Sequence, residues 1–200
     1  RLDRIGVHDL QVSAGPGEPG RTIRLTVCPA LPEAPDPMRG AVVRPDQAIL
    51  GAGNVRLRAP AHPGSDVYGP LFVEARRQGT WKRLAVLPAC GGLQVGADPY
   101  REMPWGHATA EADSHTARLS FSATYRDTDG TLWVGAAVYR SAEPDGRIVM
   151  THTLQPDGKG TVLRFDGPVV RVGDGTFGNR KHEALFPGLE YLSSHEVSSS

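Results

Sequence analysis

The strongest constraint on how this chain can fold is a two-residue alternation that runs through residues 118–172 and is broken by turns at short intervals. In residues 118–125 the apolar side chains Leu119, Phe121, Ala123 and Tyr125 fall at every second position, with Ser120, Ser122 and Thr124 between them. That is the period of a strand with one buried face. Asp129-Gly130 follows, and residues 131–139 are again rich in β-branched and aromatic side chains. An Asp-Gly pair between two such runs predicts a tight hairpin. The device repeats: Asp145-Gly146 precedes residues 147–154, Pro156-Asp157-Gly158 precedes residues 160–165, and Asp166-Gly167-Pro168 precedes residues 169–172. The pattern predicts an antiparallel meander.

Upstream, residues 5–12 and 21–27 alternate in the same way and are joined by a Gly/Pro-rich link over residues 15–20. They read as a first hairpin or as two edge strands. Pro29, Pro32, Pro35 and Pro37 each lack a donor, so residues 29–40 are expected as an extended surface loop. Further strands are expected over residues 47–50, 54–58, 71–76 and 80–87, with Gln78-Gly79 as a turn and with Trp81 and Leu84 in the core. Residues 88–115 interrupt this rhythm with Gly91-Gly92, Gly96, Asp98-Pro99, Pro104 and Gly106. They read as a long loop, either a binding loop or a lid in which Tyr100 and Trp105 close one end of a sandwich. No helix-period stretch exceeds about two turns, although residues 181–185 could form one. The expectation is an all-β chain, an antiparallel two-sheet β-sandwich with long loops and little helix. It forms one module over residues 1–200: first strands at 1–90, a long loop at 91–116, and a meander with its closing segment at 117–200.

Charge narrows the partners. Twenty-two basic and twenty-two acidic residues cancel, which removes the long-range attraction that nucleic acid or an anionic membrane surface needs. No apolar run approaches the roughly twenty residues of a membrane span. Neither nucleic acid nor membrane is expected as a partner, and a neutral or small ligand is. Cys28 and Cys90 lie too far apart in sequence for a metal knuckle or a Cys-x-x-Cys redox pair. One disulfide or two separate buried thiols both fit. The chain opens at Arg1 and stops after a strongly patterned segment, as expected of a piece of a longer protein, and leaves a secreted, periplasmic or cytoplasmic compartment open.

The motifs exclude more chemistry than they support. Gly173-Asp174-Gly175-Thr176-Phe177-Gly178 follows a predicted strand and matches Gly-x-Gly-x-x-Gly. A dinucleotide site, however, needs a helix directly after the loop, and Pro187-Gly188 arrives too soon for one. A strand-ending turn is the simpler reading. His182-Glu183 begins like the zinc signature His-Glu-x-x-His, but Phe186 stands where the second histidine belongs. The seven histidines are dispersed, so neither a metal nor a cofactor is expected. With no Gly-x-Ser-x-Gly turn, acyl transfer is unsupported. The acid/base candidates are Glu74, Glu102, Glu111, Asp113, Glu183 and Glu190. Glycoside hydrolysis uses two carboxyl groups roughly 5 to 10 Å apart.

The closing segment is the densest in such groups. Arg180, Lys181, His182 and Glu183 abut Ala184-Leu185-Phe186-Pro187-Gly188-Leu189, and Glu190-Tyr191 follows. A carboxylate beside an aromatic ring suits a sugar, whose hydroxyls take polar partners and whose C–H face stacks on a ring. A buried Arg or Lys to Glu pair holding the last strand against the sheet explains the same residues. The succession of Asp-Gly hairpins with Asp129-Gly130-Thr131-Leu132-Trp133 and Gly167-Pro168, then Gly173-Asp174-Gly175-Thr176-Phe177-Gly178, and then this segment resembles the β-sandwich of galactose mutarotase-like (supersandwich) modules of multidomain bacterial carbohydrate-active proteins. The resemblance covers residues 117–200, and the earlier part only by general β character. It implies a glycoside hydrolase context, a saccharide ligand, and a C-terminal helical domain of the same protein as partner, with this module shaping the site and not running the reaction alone. Within the module, Glu183 and Glu190 are the catalytic candidates. Trp105, His107, Arg180, His182 and Tyr191 are the substrate-binding candidates. A scaffolding sandwich without a ligand is the rival reading, and a polysaccharide lyase module is a minor one.

Overall fold

The computed structural model describes the backbone over residues 6–12, 21–27, 40–113, 115–142, 147–172, 183–186 and 190–193, and side chains over 40–113, 115–141 and 147–171. In order, the strands are β1 (Gly6–Val12), β2 (Arg21–Val27), β3 (Gly40–Val43), β4 (Gln47–Ala52), β5 (Val55–Pro60), β6 (Leu71–Arg77), β7 (Thr80–Leu87) and β8 (Gly91–Val95). They continue with β9 (Arg101–Met103), β10 (Ala108–Ala112), β11 (Thr116–Arg126), β12 (Leu132–Ala142), β13 (Arg147–Pro156), β14 (Val162–Asp166), β15 (Arg171–Val172), β16 (Glu183–Phe186) and β17 (Glu190–Ser193). The chain is all-β, every named pairing is antiparallel, and the described residues include no helix.

Two layers form a β-sandwich. One is a six-stranded sheet in the order β15-β7-β6-β5-β4-β3, and the other is a four-stranded sheet in the order β10-β11-β12-β13. Strands β3 and β4 lie against β10, β11 and β12. A third sheet, β14-β8-β9, adds Leu93, Val95 and Met103 to the same core. The alternation of β11 and β12 is what builds this interior. Leu119, Phe121, Trp133 and Tyr139 turn inward to meet Leu50, Leu57, Leu71 and Leu87 of the opposite sheet. Each such fully buried large side chain contributes about 1.5–3 kcal/mol. Trp105 packs edge-on against Phe121 at 5.0 Å between ring centroids, and Phe121 meets Tyr139 at 6.0 Å.

Several sequence expectations hold. The β1/β2 hairpin forms, β4 to β7 stand where strands were expected, and Asp129-Gly130 turns β11 into β12. Gly130 has φ +87°, a backbone region open to glycine at little cost.

Others need correction. Residues 88–115 are not a long loop, because they contain β8, β9 and β10. Their glycines serve close packing: a Cβ on Gly92 would collide with the ring of Tyr100. The meander stops at β13, since β14 leaves to pair with β8 and β15 pairs with β7. Leu84 is 48% exposed and not core. The register slips between Val73 and Glu74, where Val73 pairs with Ala85 and Glu74 with Arg83, so Leu84 sits unpaired in a bulge. Trp81 is half-buried. Within residues 181–185, the described part belongs to strand β16 and not to a helical turn. The proline loop at 29–39, the 173–178 glycine motif and the Asp145-Gly146 turn lie outside the described residues.

Candidate functional site: the outer face of the six-stranded sheet

The sequence of β5 alternates apolar and basic side chains, Val55-Arg56-Leu57-Arg58-Ala59. Leu57 and Ala59 enter the core, so Arg56 and Arg58 stand on the opposite side of the sheet. Strand pairing places Arg56 of β5 directly opposite Glu74 of β6, and Glu74 opposite Arg83 of β7. The next row is Ile49, Arg58, Phe72 and Val86. Arg76 opposite Trp81 forms a third. The register therefore interleaves guanidinium groups, one carboxylate and two aromatic rings on a single face.

This face is buried although it points away from the core. Gln47 is 0%, Arg58 4%, Arg56 5% and Glu74 7% exposed. Removing a charge from water costs several kcal/mol, so such groups persist only when paired. Arg56 Nε donates to Glu74 Oε2 at 2.6 Å, and Arg58 Nη1 approaches the same oxygen at 3.6 Å. Arg58 also donates through Nε and Nη2 to Gln47 Oε1, at 3.1 and 2.8 Å. Burial lowers the pKa of Arg58, and the charge of Glu74 acts against that shift. The rings complete the arrangement: Arg56 lies over Trp81 at 4.1 Å and Arg83 over Phe72 at 4.2 Å. Contacts of this kind contribute about 0.5–2 kcal/mol each. Accessibility rises toward β7 and the end of β6, where Trp81 and Arg83 of β7 and Arg76 of β6 are only half-buried. Among the described residues, Arg56 Nη1 and Arg83 Nε are buried donors without a hydrogen-bond partner.

A second polar region is a cleft of about 350 Å³ lined by Glu111, Ala112, Asp113, Thr116, Arg118 and Arg140. Asp113 is engaged there in shaping the turn. It accepts from the backbone N–H groups of His115 and Thr116 at 2.7 Å each and from the Thr116 hydroxyl at 2.8 Å, which holds its carboxyl below the usual carboxylate range. Arg118 and Glu111 stand 3.6 Å apart in solvent, a pairing that contributes little.

Of the residues expected to bind a ligand, Trp105 and His107 belong to neither place. Trp105 is 5% exposed, and its Nε1 donates to the Leu87 carbonyl at 3.1 Å. It is a core residue and offers no open face for stacking, a correction that follows from the strands on either side of it. His107 lies in solvent, its Nδ1 2.9 Å from Asp66 Oδ2. Glu183, Glu190 and Tyr191 belong to the β16/β17 hairpin, which pairs Glu183 with Ser193, Leu185 with Tyr191 and Phe186 with Glu190. The backbone register thus gives Glu183 and Glu190 opposite parity in the pleat. Arg180 and His182 lie outside the described residues. Among the carboxylate candidates, Glu74 joins an aromatic and cationic cluster. The alternation of Arg with Leu in β5, a strand with neighbours on both sides, was the available signal for this face. Among the described residues, no three His, Cys, Asp or Glu side chains converge as a metal site.

No protein-family model, curated protein or solved structure matches this chain.

Proposed function

We propose that the chain is the β-sandwich module of a carbohydrate-processing protein of glycoside hydrolase type, which shapes a saccharide site with the outer face of its six-stranded sheet. The observation that carries this reading is the half-buried end of that face, where the Trp81 ring and the Arg83 guanidinium stand beside the Arg56–Glu74 pair. Guanidinium N–H groups match the oxygens of a sugar, and a ring matches the sugar's C–H face. The principal acid and base groups belong to a helical domain of the same protein. Glu183 and Glu190 are the carboxylates this module would lend to it. Exposed apolar side chains on β13 and β14, including Val149, Met150, Leu163 and Phe165, suit the packing of such a domain. Calorimetric titration of the folded chain with neutral and acidic oligosaccharides tests the reading. Binding of at least one sugar, abolished by Trp81→Ala, is expected, whereas absence of heat for every sugar from a folded sample refutes it.

One observation favours the rival reading of a scaffolding sandwich without a ligand. Arg56, Arg58 and Glu74 are almost fully buried, as expected of a polar cluster that fastens elements together. Under that reading Trp81→Ala lowers stability and changes no binding.

A further inference from the structure

Arg56, Glu74 and Arg83 form one cross-strand row, so a single carboxylate stands between two guanidinium groups. That carboxylate is already committed: Glu74 Oε2 takes the Arg56 Nε donor at 2.6 Å and stands 3.6 Å from Arg58 Nη1. Arg83 has no ion-pair partner among the described residues and rests on the face of Phe72 at 4.2 Å. Its Nε and the Nη1 of Arg56 are both buried without an acceptor among the described residues. A buried donor left unmade costs free energy, more so when charged. The row therefore holds more fixed donors than its own acceptors satisfy, and its half-buried end, at Arg83, is the end nearest solvent, with Trp81 of the adjoining row on the same strand.

A neutral sugar is a poor complement to this row, because hydroxyl groups supply neither negative charge nor the paired acceptor oxygens that match a guanidinium fork. A carboxylate or a sulfate supplies both. We infer that the saccharide taken by this face is acidic, with its anionic group set against Arg83 and the ring carrying that group set against Trp81. The inference rests on the saccharide reading above and narrows its substrate class. Carboxylate and sulfate share the chemistry required, and the experiment separates them.

The test is calorimetric titration of the chain with three oligosaccharides of equal length: an oligogalacturonate, a heparin-derived sulfated oligosaccharide, and a neutral cello-oligosaccharide. At least one acidic sugar is expected to bind about tenfold or more tightly than the neutral one, the scale of one charge-assisted bidentate contact. The preference is expected to shrink as salt is raised. Arg83→Gln is expected to erase it. Arg83→Lys, which keeps the charge but not the guanidinium fork, is expected to keep only part of it and guards against a folding failure of the glutamine variant. Equal binding of neutral and acidic sugars overturns the inference and leaves the saccharide reading standing. Binding by none of the three overturns both. An acidic preference that survives both Arg83 variants overturns the assignment to this row.

Discussion

Replacing Glu74 by Gln tests most severely whether the outer face of the six-stranded sheet is a dry, charge-coupled cluster. Glu74 is 7% exposed, its Oε2 accepts from Arg56 at 2.6 Å, and Arg58 stands 3.6 Å away. The amide keeps the shape but removes the charge, leaving two guanidinium groups that are 5% and 4% exposed without their counter-ion. Breaking a buried pair from one side costs about 3–5 kcal/mol, because the surviving charge is stranded in a low-dielectric site. For a chain of 200 residues, each kcal/mol moves Tm by about 2–4 °C, so the expected fall is roughly 6–20 °C. Urea and thermal unfolding followed by circular dichroism measure it. A second variant isolates the cause: Glu74→Leu combined with Arg56→Met and Arg58→Leu removes the charges together and is expected to regain most of the loss. A loss for Glu74→Gln below about 1 kcal/mol, the range of solvated ion pairs, would refute the view of this face as desolvated. Equal losses for the single and triple variants would refute the charge argument.

Other outcomes follow from single groups. Tyr139→Phe is expected to be neutral or stabilising in chemical denaturation, since the Tyr139 hydroxyl is buried with no hydrogen-bond partner among the described residues; a loss above about 2 kcal/mol would mean a partner exists. Asp98 accepts from the Thr128 and Tyr125 hydroxyls, which lower its pKa below the ordinary 3.8. Its contribution is therefore present above that value and lost as pH falls through the folded pKa, and Asp98→Asn should flatten the stability profile below about pH 4. Burial lowers the pKa of His152 below 6.5. The unfolded chain then binds the proton first, so stability falls as pH drops below 6.5 toward the folded pKa, and His152→Gln should remove that slope between about pH 7 and 5. Cys90, a buried thiol whose pKa burial pushes up to about 12, should resist a thiol reagent in the folded protein and react at full rate in denaturant.

The β architecture was legible because alternation and turn chemistry act locally. Leu119, Phe121 and Tyr125 announce a half-buried strand without help from the rest of the chain, and Asp129-Gly130 announces its hairpin. What could not be read depends on partners distant in sequence. Gly91 and Gly92 look like loop residues until β9 and β14 are seen to flank β8 and Tyr100 to press on Gly92. Leu84 looks apolar and inward until the bulge opposite Val73 and Glu74 turns it out. Trp105 looks like a surface platform because prolines and glycines surround it, yet its indole N–H reaches back to Leu87 across the core. The candidate site was hidden for the same reason. Arg56, Glu74 and Arg83 are unremarkable in sequence and become a row only when the register of β5, β6 and β7 aligns them.

The three tryptophans allow a direct test of where a ligand binds. Trp105 Nε1 is bonded to the Leu87 carbonyl and Trp133 Nε1 to Asp127, both within buried rings, whereas Trp81 is half-buried beside Arg56 and Arg83. In a nuclear magnetic resonance titration of the labelled chain with an acidic oligosaccharide, the Trp81 indole and Arg83 Nε–H signals are predicted to shift together and saturably, while the Trp105 and Trp133 indole signals stay in place. Saturable shifts at Trp105 or Trp133 with none at Trp81, or no shift anywhere, would contradict a ligand-binding outer face.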